Sequence, residues 1–427
     1  MNHREVELLA IGAGPSNLAL AVALEELAPD DLARRSMLVE RQTETVWQAG
    51  MLMAWTRSQV SFLKDLVTLR NPQSKFTFIN YLHSAGRLSH FINMNSFTPY
   101  RVEISDYLRW VARSLTKVTL RYNSQCTRLE PTHDSGGQLT GWLATFADNA
   151  TIACRYLVIA TGRDPLVPTV FAGLPADQVI HSTRFSAGTA NMDAGYPYRI
   201  AVIGGGQSAA EMLWAAHQKF PRASLNIIMR TIGLANYAVS RFTNELYFPS
   251  FVKEFYAAPA DVRENLLAQM YGTNYSGLDA RLLDTLYEQA YIERVTGEER
   301  IRFATNTDVT AARLEGDELV LTLTDRLTRQ PGEYRYDRVM LGTGFCKEMP
   351  TLIADLAIKL GIDDATVDRN YRLVMPPSDA GCYLQGVNEA THGIADSLLS
   401  VAAVRAGEIV ADILRRRGHP LGSAPCG

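Results

Sequence analysis

Two glycine-rich segments carry the clearest chemical signal in the sequence. Gly12-Ala-Gly-Pro-Ser-Asn17 and Gly204-Gly-Gly-Gln-Ser-Ala209 each follow an apolar run and precede a helix-forming stretch. In such a segment the first glycine permits a tight turn, and the second lets the backbone approach a pyrophosphate. The N-terminus of the following helix adds free N–H groups and a partial positive charge. One segment alone is also compatible with an ordinary glycine turn, but two between predicted strands and helices indicate two dinucleotide sites.

The two segments match this pattern to different degrees. Gly12 and Gly14 supply the first two glycines, but Asn17 occupies the third position, where a small residue usually allows close packing of helix and strand. The second segment has small residues at all three positions, namely Gly204, Gly206 and Ala209. The first match is therefore incomplete and the second is complete.

The residue that closes each unit indicates which nucleotide it takes. Glu40 ends the strand after the first segment, and a carboxylate there accepts hydrogen bonds from a ribose hydroxyl pair, as FAD or NAD offers. Arg230 ends the corresponding strand of the second unit, where a guanidinium suits a 2′-phosphate. The sequence thus predicts FAD at the first site and NADPH at the second. A solvated arginine at a strand end is the plainer interpretation of Arg230.

Strand and helix patterns around these segments place them in two repeated units. Residues 5–11 and 36–40 are typical of strands, and residues 18–27 of the helix between them. The same pattern returns over residues 198–230. A strand, a helix and a strand in this order normally form a parallel pair with the helix on one sheet face. We therefore predict an α/β fold with two Rossmann-like dinucleotide-binding domains.

The rest of the chain divides around these units. Residues 156–162 and 338–344 are strand-like runs that end in glycine turns, and a final apolar helix is predicted from about Ser397 to Arg417. Residues 235–297 are rich in aromatic residues and mostly helical in pattern, so we predict a small helical insertion that binds the substrate. The predicted division is an FAD-binding domain over 1–190 and 338–427 and an NADPH-binding domain over 191–337, which includes the insertion.

Composition disfavours several classes of function. The 42 basic and 45 acidic residues among 427 nearly balance, which argues against a nucleic-acid partner or a basic membrane anchor. No apolar stretch reaches the roughly 18 residues that a membrane-spanning helix needs, and no signal peptide is recognisable. The five cysteines are scattered and form no Cys-x-x-Cys pair, which favours the cytoplasm and argues against a dithiol reductase. We predict no metal site.

Further segments are more distinctive than the glycine turns. They are Gln59–Pro72, Phe78–Leu82, Ser105–Trp110, Phe242–Glu245, Thr273–Ser276 and Thr391–Ser400. Together with the glycine segments they resemble the flavin-dependent N-hydroxylating monooxygenases of siderophore biosynthesis, in particular the L-ornithine N5-monooxygenase type. The resemblance covers nearly the whole chain, and its most specific parts are Phe-Leu-Lys-Asp-Leu at 62–66 and Thr-Asn-Tyr-Ser at 273–276.

The resemblance implies a reaction and its participants. In that family NADPH reduces FAD, and O₂ adds to the reduced flavin. The resulting hydroperoxide passes its distal oxygen to the neutral side-chain amine of L-ornithine, while NADP⁺ stays bound. The resemblance also implies a homotetramer, and a hydroxamate siderophore or related peptide as the destination of the product.

The resemblance assigns roles to residues of this chain. The residues along FAD are Gly12, Gly14, Pro15, Ser16, Asn17, Glu40, Arg41, Trp47, Gln48, Gln59, Cys126, Ser397, Leu398 and Leu399. The residues for NADPH are Gly205, Gly206, Gln207, Ser208, Arg230, Asn274, Tyr275 and Ser276. The residues for the substrate are Lys64, Asn244, Asn274 and Ser400. Lys64 and Asn274 are the candidate catalytic residues, with Asn274 bridging the substrate and the nicotinamide ribose.

The residue types at the substrate site suit an amino acid whose side-chain amine is neutral. Lys64 offers a point charge for an α-carboxylate, although an exposed lysine or a structural ion pair with Asp65 is the alternative. Asn244 and Asn274 offer donors and acceptors without charge, and turn or helix-cap duty is the alternative for each. His392 lies in a Thr-His-Gly turn, and we interpret it as a structural or flavin-contacting residue in preference to a general base.

One departure and several alternatives stand beside this interpretation. The family often carries Pro-Ala-Asp-Asp-Ser-Pro before the Phe-x-Asn segment, whereas this chain has Ala235-Asn-Tyr-Ala-Val-Ser-Arg241 next to the predicted NADPH and substrate sites. Lysine is one methylene longer than ornithine, and a pocket separates such ligands by only about 1–3 kcal/mol. A diamine would leave Lys64 without a carboxylate. Other classes are a different two-nucleotide flavin monooxygenase or NADPH oxidase, and a redox-sensing binding protein without enzymatic activity.

Overall fold

The computed structural model describes residues 3–275 and 277–419, so the predicted NADPH-binding residue Ser276 lies outside the described residues. The β-strands are β1 His3–Ile11, β2 Ser36–Val39, β3 Thr119–Arg121, β4 Cys126–His133, β5 Leu139–Phe146, β6 Thr151–Ile159, β7 Val179–His181, β8 Arg199–Ile203, β9 Ser224–Ile228, β10 Ile301–Ala304, β11 Thr307–Glu315, β12 Glu318–Asp325, β13 Pro331–Tyr336, β14 Arg338–Leu341 and β15 Gly381–Leu384. The α-helices are α1 Pro15–Leu27, α2 Asp30–Arg34, α3 Phe78–Ser84, α4 Leu88–Asn93, α5 Arg101–Ser114, α6 Phe185–Thr189, α7 Gln207–Lys219, α8 Pro249–Ala257, α9 Ala260–Asn274, α10 Ala280–Thr296, α11 Thr351–Leu360, α12 Glu389–His392 and α13 Leu399–Arg416.

The first sheet is built around β1 and carries the first glycine turn. Its strands run in the order β3-β2-β1-β6-β5-β4, and β15 also pairs with β6. β1 pairs in parallel with both β2 and β6, and β2 is buried along its whole length. Parallel sheets of this kind are covered on both faces, which explains the continuous apolar runs of these strands. The pairing confirms the first predicted strand–helix–strand unit.

Helix α1 leaves the end of β1 and packs between this sheet and the final helix. Residues 18–24 of α1 are fully buried, and they share one core with Ala406, Ile409 and Ile413 of α13. A helix that is apolar on every side must be covered on every side. The final helix, predicted from about Ser397, begins at Leu399 because a 3-10 turn over Ile394–Ser397 precedes it.

The second sheet repeats this arrangement around the second glycine turn. Its strands run in the order β10-β9-β8-β14-β7, and these neighbours pair in parallel. Helix α7 follows β8 and packs on the sheet through Ala209, Ala210 and Leu213. The two sheets confirm the predicted α/β fold with two Rossmann-like units.

β7 and β14 belong to the second unit, although the predicted domain boundaries assign them to the first. β7 and β14 pair within the second sheet, whereas the predicted boundaries place both in the FAD-binding domain. The local sequence marks residues 338–344 as a strand, but it does not show which partner that strand takes. The paired strands show that the chain enters the second unit after β6 and leaves it after β14.

Antiparallel strands extend both units. β4 and β5 form a hairpin at the edge of the first sheet, next to β6. β11, β12 and β13 form a separate meander, and Leu319, Leu321 and Leu323 of β12 pack against the second sheet. The sequence analysis predicted neither feature.

The predicted helical insertion is present. It consists of a 3-10 turn over Thr243–Tyr247 followed by α8, α9 and α10. α8 and α9 pack against α12 and the Ile394–Ser397 turn of the first unit. Across the described ranges, no helix combines the length and the apolar character that crossing a bilayer requires.

Candidate active site

The first glycine turn has the shape that a pyrophosphate site needs. Gly12 has φ +93°, and a Cβ there would lie 2.7 Å from the Ala160 carbonyl oxygen, so only glycine fits. No atom lies within 4 Å of the Cβ position of Gly14, which leaves that side of the turn open. Pro15 is the first residue of α1, where its missing N–H costs no helix hydrogen bond. The free N–H groups of the first turn of α1 therefore face an open approach.

Asn17, at the third position of the pattern, holds this turn from the inside. Its side chain is fully buried, and its Nδ2 donates to the carbonyl oxygens of Ile11 at 2.9 Å and Gly12 at 2.8 Å. Its Oδ1 accepts from Gln385 Nε2 at 2.9 Å. These bonds use the amide within the protein, so a contact of Asn17 with FAD would involve its backbone.

Ser16 of the same turn belongs to a buried polar network that sequence reasoning missed. Arg405 of α13 donates to Ser16 Oγ at 2.8 Å, to Asp396 Oδ1 at 2.6 Å and to Gln385 Oε1 at 3.0 Å. Arg405 is 1% exposed and Asp396 0%. The network ties the glycine turn to the segment before α13. Its signal in the sequence was an arginine inside an apolar helix, since a buried charge needs a partner.

Glu40 lies over the glycine turn, as predicted for a ribose-binding carboxylate. Its Oε2 accepts from Ala13 N at 2.8 Å and its Oε1 from Gln42 N at 3.0 Å. A carboxylate has about four acceptor positions, so hydrogen bonds to a ribose remain possible. The side chain is half-buried at the end of β2.

The other predicted FAD residues of the first half of the chain differ in exposure and in backbone conformation. Arg41 and Gln59 are exposed, and Gln48 has a left-handed backbone with φ 54°. Trp47 packs against the core of the first unit. Cys126 begins β4, and burial raises the pKa of its thiol to about 11, so it is not a thiolate at neutral pH. Their roles toward FAD stay predictions.

The second glycine turn is tighter than the first. Gly204 has φ +131°, and a Cβ there would lie 2.4 Å from the Gly342 carbonyl oxygen. A Cβ on Gly342 would lie 2.6 Å from the Cβ of Ala209. Helix α7 therefore approaches the end of β14 closely, which explains why Gly204 and Ala209 of the glycine pattern are small.

The first turn of α7 forms hydrogen bonds with the start of α10 and with α5 of the first unit. Gln207 donates from Nε2 to Glu211 Oε1 at 2.8 Å and accepts from Asp279 N, at the start of α10, at 2.8 Å. Glu211 also accepts two hydrogen bonds of 2.7 Å from Arg101 of α5. The buried Arg101–Glu211 pair joins the two nucleotide units, and the sequence analysis did not identify it. Ser208, beside it, is half-buried.

Arg230 follows β9 with its side chain in solvent. It forms no ion pair with any of the residues that the structure describes. Its carbonyl oxygen accepts from Arg326 Nη1 at 2.9 Å, so a second guanidinium lies nearby. Arg326 itself pairs with Asp308 at 3.3 Å. A free cation beside the glycine turn is the arrangement that a 2′-phosphate requires.

Lys64 is half-buried and has no acidic partner among the described residues. Its Nζ lies 3.5 Å from Ser400 Oγ and 5.9 Å from the ring centre of Tyr247. Burial lowers the pKa of Lys64, with no charged neighbour to oppose the effect. The alternative of a Lys64–Asp65 ion pair is wrong: Asp65 instead accepts from the backbone N–H groups of Val67, Thr68 and Phe78.

The segments that carry the two candidate asparagines, Asn244 and Asn274, are in contact with each other. Asn244 is exposed in the Thr243–Tyr247 turn, and Asn274 is the last residue of α9. Tyr247, at the end of that turn, lies 2.5 Å by its hydroxyl from Thr273 Oγ1, next to Asn274. Neither asparagine caps the N-terminus of its helix.

The segment before and into α13 faces Lys64. Leu399 and Lys64 line the same narrow cavity, so a predicted flavin-side residue and a predicted substrate-side residue meet there. Leu398 packs against the core that contains Tyr247. Ser397 closes the preceding 3-10 turn by donating to Ile394 O at 3.3 Å.

Tyr275 is half-buried and His392 is buried next to this segment. The Tyr275 hydroxyl donates to Glu389 Oε1 at 2.5 Å, and burial together with Glu389 raises its pKa. His392 stacks on Tyr371 with ring centres 4.0 Å apart, and burial lowers its pKa to about 4. It is therefore neutral at physiological pH, and its packing agrees with a structural role.

The stretch at 235–241, where the chain departs from the family pattern, pairs with the backbone on both sides of the 273–276 segment. Ala238 N donates to Gly272 O at 2.9 Å, and Leu278 N donates to Ala235 O at 2.9 Å. A Cβ on Gly277 would lie 2.7 Å from Tyr237 Cα. The altered stretch thus contacts the residues on both sides of the segment that contains Asn274.

Comparisons with known proteins agree on one group. The family model for L-lysine 6-monooxygenase/L-ornithine 5-monooxygenase matches residues 4–347. The chain is 37% identical to the L-ornithine N(5)-monooxygenase of Pseudomonas aeruginosa, over 94% of this chain and 92% of that one. It is similar to the solved ornithine hydroxylase from that organism, with TM-score 0.90, 35% identity and coverage of 97% and 100%. It is also similar to the Kutzneria sp. 744 ornithine N-hydroxylase with reduced FAD, NADP⁺ and L-ornithine, with TM-score 0.89, 34% identity and coverage of 97% and 100%.

Proposed function

Because the chain belongs to the L-lysine 6-monooxygenase/L-ornithine 5-monooxygenase family, we propose that it hydroxylates the N5 amine of L-ornithine with FAD, NADPH and O₂. The reaction takes one oxygen atom from O₂ into N5-hydroxyornithine, and the other leaves as water while NADPH becomes NADP⁺. The similarity to ornithine-acting relatives extends over nearly the full length of the chain. The product would serve a hydroxamate siderophore or a related peptide.

The observation that carries this proposal is the half-buried ammonium of Lys64 without a carboxylate. A buried charge costs free energy unless it is paired, and no residue of the described chain pairs with this one. The α-carboxylate of an amino acid supplies the missing partner, and Ser400 Oγ lies beside it as a further hydrogen-bonding group. A diamine offers no carboxylate, so the geometry favours an amino acid.

The residues around each glycine turn fit the proposed cofactors. The open side at Gly14 and the carboxylate of Glu40 fit the pyrophosphate and ribose of FAD. The free guanidinium of Arg230 fits the 2′-phosphate of NADPH. FAD, when bound and reduced by NADPH, would activate O₂ for transfer of one oxygen atom to the amine. In the proposed reaction the chain holds the nucleotides and orients the amino acid through Lys64. The side-chain amides of Asn244 and Asn274 face the reacting amine, and because they carry no charge they leave this amine neutral.

Lysine is the main alternative substrate, since one methylene changes the binding free energy by only about 1–3 kcal/mol. The ornithine-acting relatives favour the shorter amino acid. For the assembly we propose a homotetramer, as in the family resemblance. For the location we propose the cytoplasm, which agrees with the unpaired Cys126, Cys154, Cys346 and Cys382.

A substrate panel tests the proposed function. The FAD-loaded protein is supplied with NADPH and, in turn, ornithine, lysine, putrescine or a methyl sulfide, and hydroxylated product is counted against NADPH consumed. We expect efficient coupling with ornithine, weaker coupling with lysine, and mainly hydrogen peroxide with the other two. Ornithine that yields only peroxide would show that the proposed substrate is wrong.

A further inference from the structure

Tyr247 lies between the two parts of the proposed substrate site. It is 7% exposed, at the end of the Thr243–Tyr247 turn that carries Asn244. The Lys64 ammonium lies over its ring, 5.9 Å from the ring centre. Its hydroxyl lies 2.5 Å from Oγ1 of Thr273, the residue before Asn274. One side chain thus contacts the segments that recognise opposite ends of the amino acid.

The direction of the hydrogen bond to Thr273 follows from counting protons. The Thr273 hydroxyl has one proton and donates it to the carbonyl oxygen of Met270 at 2.6 Å. Tyr247 must therefore be the donor to Thr273 Oγ1. Thr273 is 8% exposed, so solvent has little access to replace that donor. Removal of the Tyr247 hydroxyl would leave the last turn of α9 without this bond, directly beside Asn274.

The ring of Tyr247 suits a lysine that must stay available to a ligand. An aromatic face attracts an ammonium within about 6 Å without neutralising it. A carboxylate at the same place would pair with Lys64 and compete with the substrate. The ring opposes the cost of burying the ammonium while leaving its charge for an incoming carboxylate.

The packing around Tyr247 makes its position well defined. It shares a core with Val252 of α8, Met270 of α9 and Ile394, Ala395 and Val401 around the start of α13. Val401 follows Ser400, the residue whose Oγ lies beside Lys64. The insertion and the first unit therefore meet around this ring.

We propose that Tyr247 is a positioning residue of the ornithine site, which sets Lys64 and Asn274 at the separation that the substrate requires. The inference rests on the proposed function. The ring acts through Lys64 on carboxylate binding, and the hydroxyl acts through Thr273 and Asn274 on the placement of the amine. The two parts of the side chain should therefore affect different kinetic quantities.

Three variants separate these effects. Tyr247→Phe keeps the ring and removes the hydroxyl, and Tyr247→Leu removes both. Thr273→Val removes the acceptor of the Tyr247 hydroxyl, together with the bond from Thr273 to Met270 O. Tyr336→Phe is the matched control, because its buried hydroxyl accepts from Asn226 Nδ2 at 2.8 Å in the second unit, away from the proposed site. For each FAD-loaded variant, the flavin reduction rate with NADPH, the KM for ornithine and the hydroxylated product per NADPH are measured.

For Tyr247→Phe we expect product per NADPH to fall about fivefold, the effect of one lost hydrogen bond, with KM for ornithine within about twofold of the native value. Tyr247→Leu should also raise this KM about five- to tenfold. Thr273→Val should lower the product per NADPH, as Tyr247→Phe does. The double variant Tyr247→Phe/Thr273→Val should be no worse than the poorer single variant, because both substitutions remove the same Tyr247–Thr273 hydrogen bond. Flavin reduction should change in none of them, and Tyr336→Phe should match the native enzyme.

Two results would overturn the inference while leaving the proposed function intact. The first is native coupling in Tyr247→Phe, and the second is an equal loss of flavin reduction and coupling. If Tyr247→Phe cannot be purified with FAD, Thr273→Val decides the question: lowered coupling supports the inference and native coupling overturns it. A native enzyme that does not hydroxylate ornithine would instead overturn the proposed function and, with it, this inference.

Discussion

At the scale of single residues, Lys64 is the main reason for proposing an amino acid as the substrate. Lys64→Ala should raise the KM for ornithine about 10- to 100-fold, because it removes one charge-assisted contact with the carboxylate. The rate of flavin reduction by NADPH should stay close to native. Steady-state and stopped-flow kinetics measure the two effects separately. The exposed Lys75 provides a control, since Lys75→Ala should change neither quantity. A fall in the rate of flavin reduction as large as the rise in the KM for ornithine would show that Lys64 does not act mainly on the substrate carboxylate.

For Arg230 we propose a role in the choice between the two nicotinamide coenzymes. Arg230→Ala should weaken NADPH about 10- to 100-fold, as expected for the loss of a charge-assisted contact with the 2′-phosphate. NADH lacks that phosphate, so its KM should change little. Parallel titrations of flavin reduction with the two coenzymes measure the preference, and Arg222→Ala, at another exposed arginine of the second unit, is the control. An unchanged preference would remove the role proposed for Arg230.

The buried His392 should make the stability of the protein depend on pH. Burial lowers the pKa of His392 from its ordinary 6.5 to about 4, so the folded protein binds this proton less readily than the unfolded chain. Its contribution to stability is therefore complete above pH 6.5 and is lost as the pH falls toward 4. The loss amounts to about 3 kcal/mol by pH 4.

Urea unfolding of the native protein and of His392→Phe at several pH values tests this prediction. The native free energy of unfolding should fall more steeply between pH 6.5 and 4 than that of the variant. His83→Phe, at an exposed histidine, should retain the native slope. Equal slopes for the native protein and His392→Phe would mean that His392 titrates normally in the folded state.

Local sequence was enough to select some site residues but not others. Glu40, Arg230 and Lys64 follow from their positions relative to glycine turns or from a distinctive short segment. Tyr247 and Arg405 act through partners that lie far away along the chain, at Lys64 and Thr273 in one case and at Ser16 and Asp396 in the other. No local spacing encodes such contacts, so the structure was needed to find them.

At the scale of elements, the buried Arg101–Glu211 pair fixes α5 of the first unit to α7 of the second. Both oxygens of Glu211 accept from Arg101 at 2.7 Å, and neither side chain is exposed by more than 9%. Removal of one member of a buried pair leaves the other charge without compensation. This pair therefore holds the glycine turn of the NADPH site in a set position relative to the FAD unit.

Glu211→Gln tests this coupling between the elements. The variant should lower the free energy of unfolding by about 3–5 kcal/mol, because the guanidinium of Arg101 stays buried without its counter-charge. Chemical denaturation measures the change. Glu315→Gln is the control, since the pairs of Glu315 with Arg313 and Arg335 are open to solvent and should contribute little. A native unfolding midpoint for Glu211→Gln would mean that the ion pair does not hold the units together.

The strand–helix–strand units were predictable because each is encoded within about 30 residues by an apolar strand, a glycine turn and a helix. The helical insertion was predictable from its pattern as well. The sheet that β7 and β14 join, and the β11–β13 meander, depend on pairings between distant segments. Such pairings leave no periodic signal inside the strands themselves, so the sequence analysis divided these regions differently or did not describe them.

At the scale of the whole molecule, two sheets with parallel central strands each present a glycine turn at the carboxyl end of one of those strands. Nucleotides bind at that edge in folds of this kind. The chain crosses between the units twice, and the crossing segments pair through Leu166 N with Gly344 O at 3.0 Å and Cys346 N with Asp164 O at 2.8 Å. The insertion then packs against the first unit around Tyr247. This packing brings the insertion, which carries Asn244 and Asn274, next to Lys64 of the first unit.

The most direct test of this account is the fate of molecular oxygen in the presence of ornithine. The FAD-loaded enzyme is given NADPH, L-ornithine and ¹⁸O₂, and the product is analysed by mass spectrometry while NADPH consumption is followed. The account predicts N5-hydroxyornithine carrying one labelled oxygen atom, in an amount close to the NADPH consumed. Unchanged ornithine together with labelled hydrogen peroxide as the only product would contradict it.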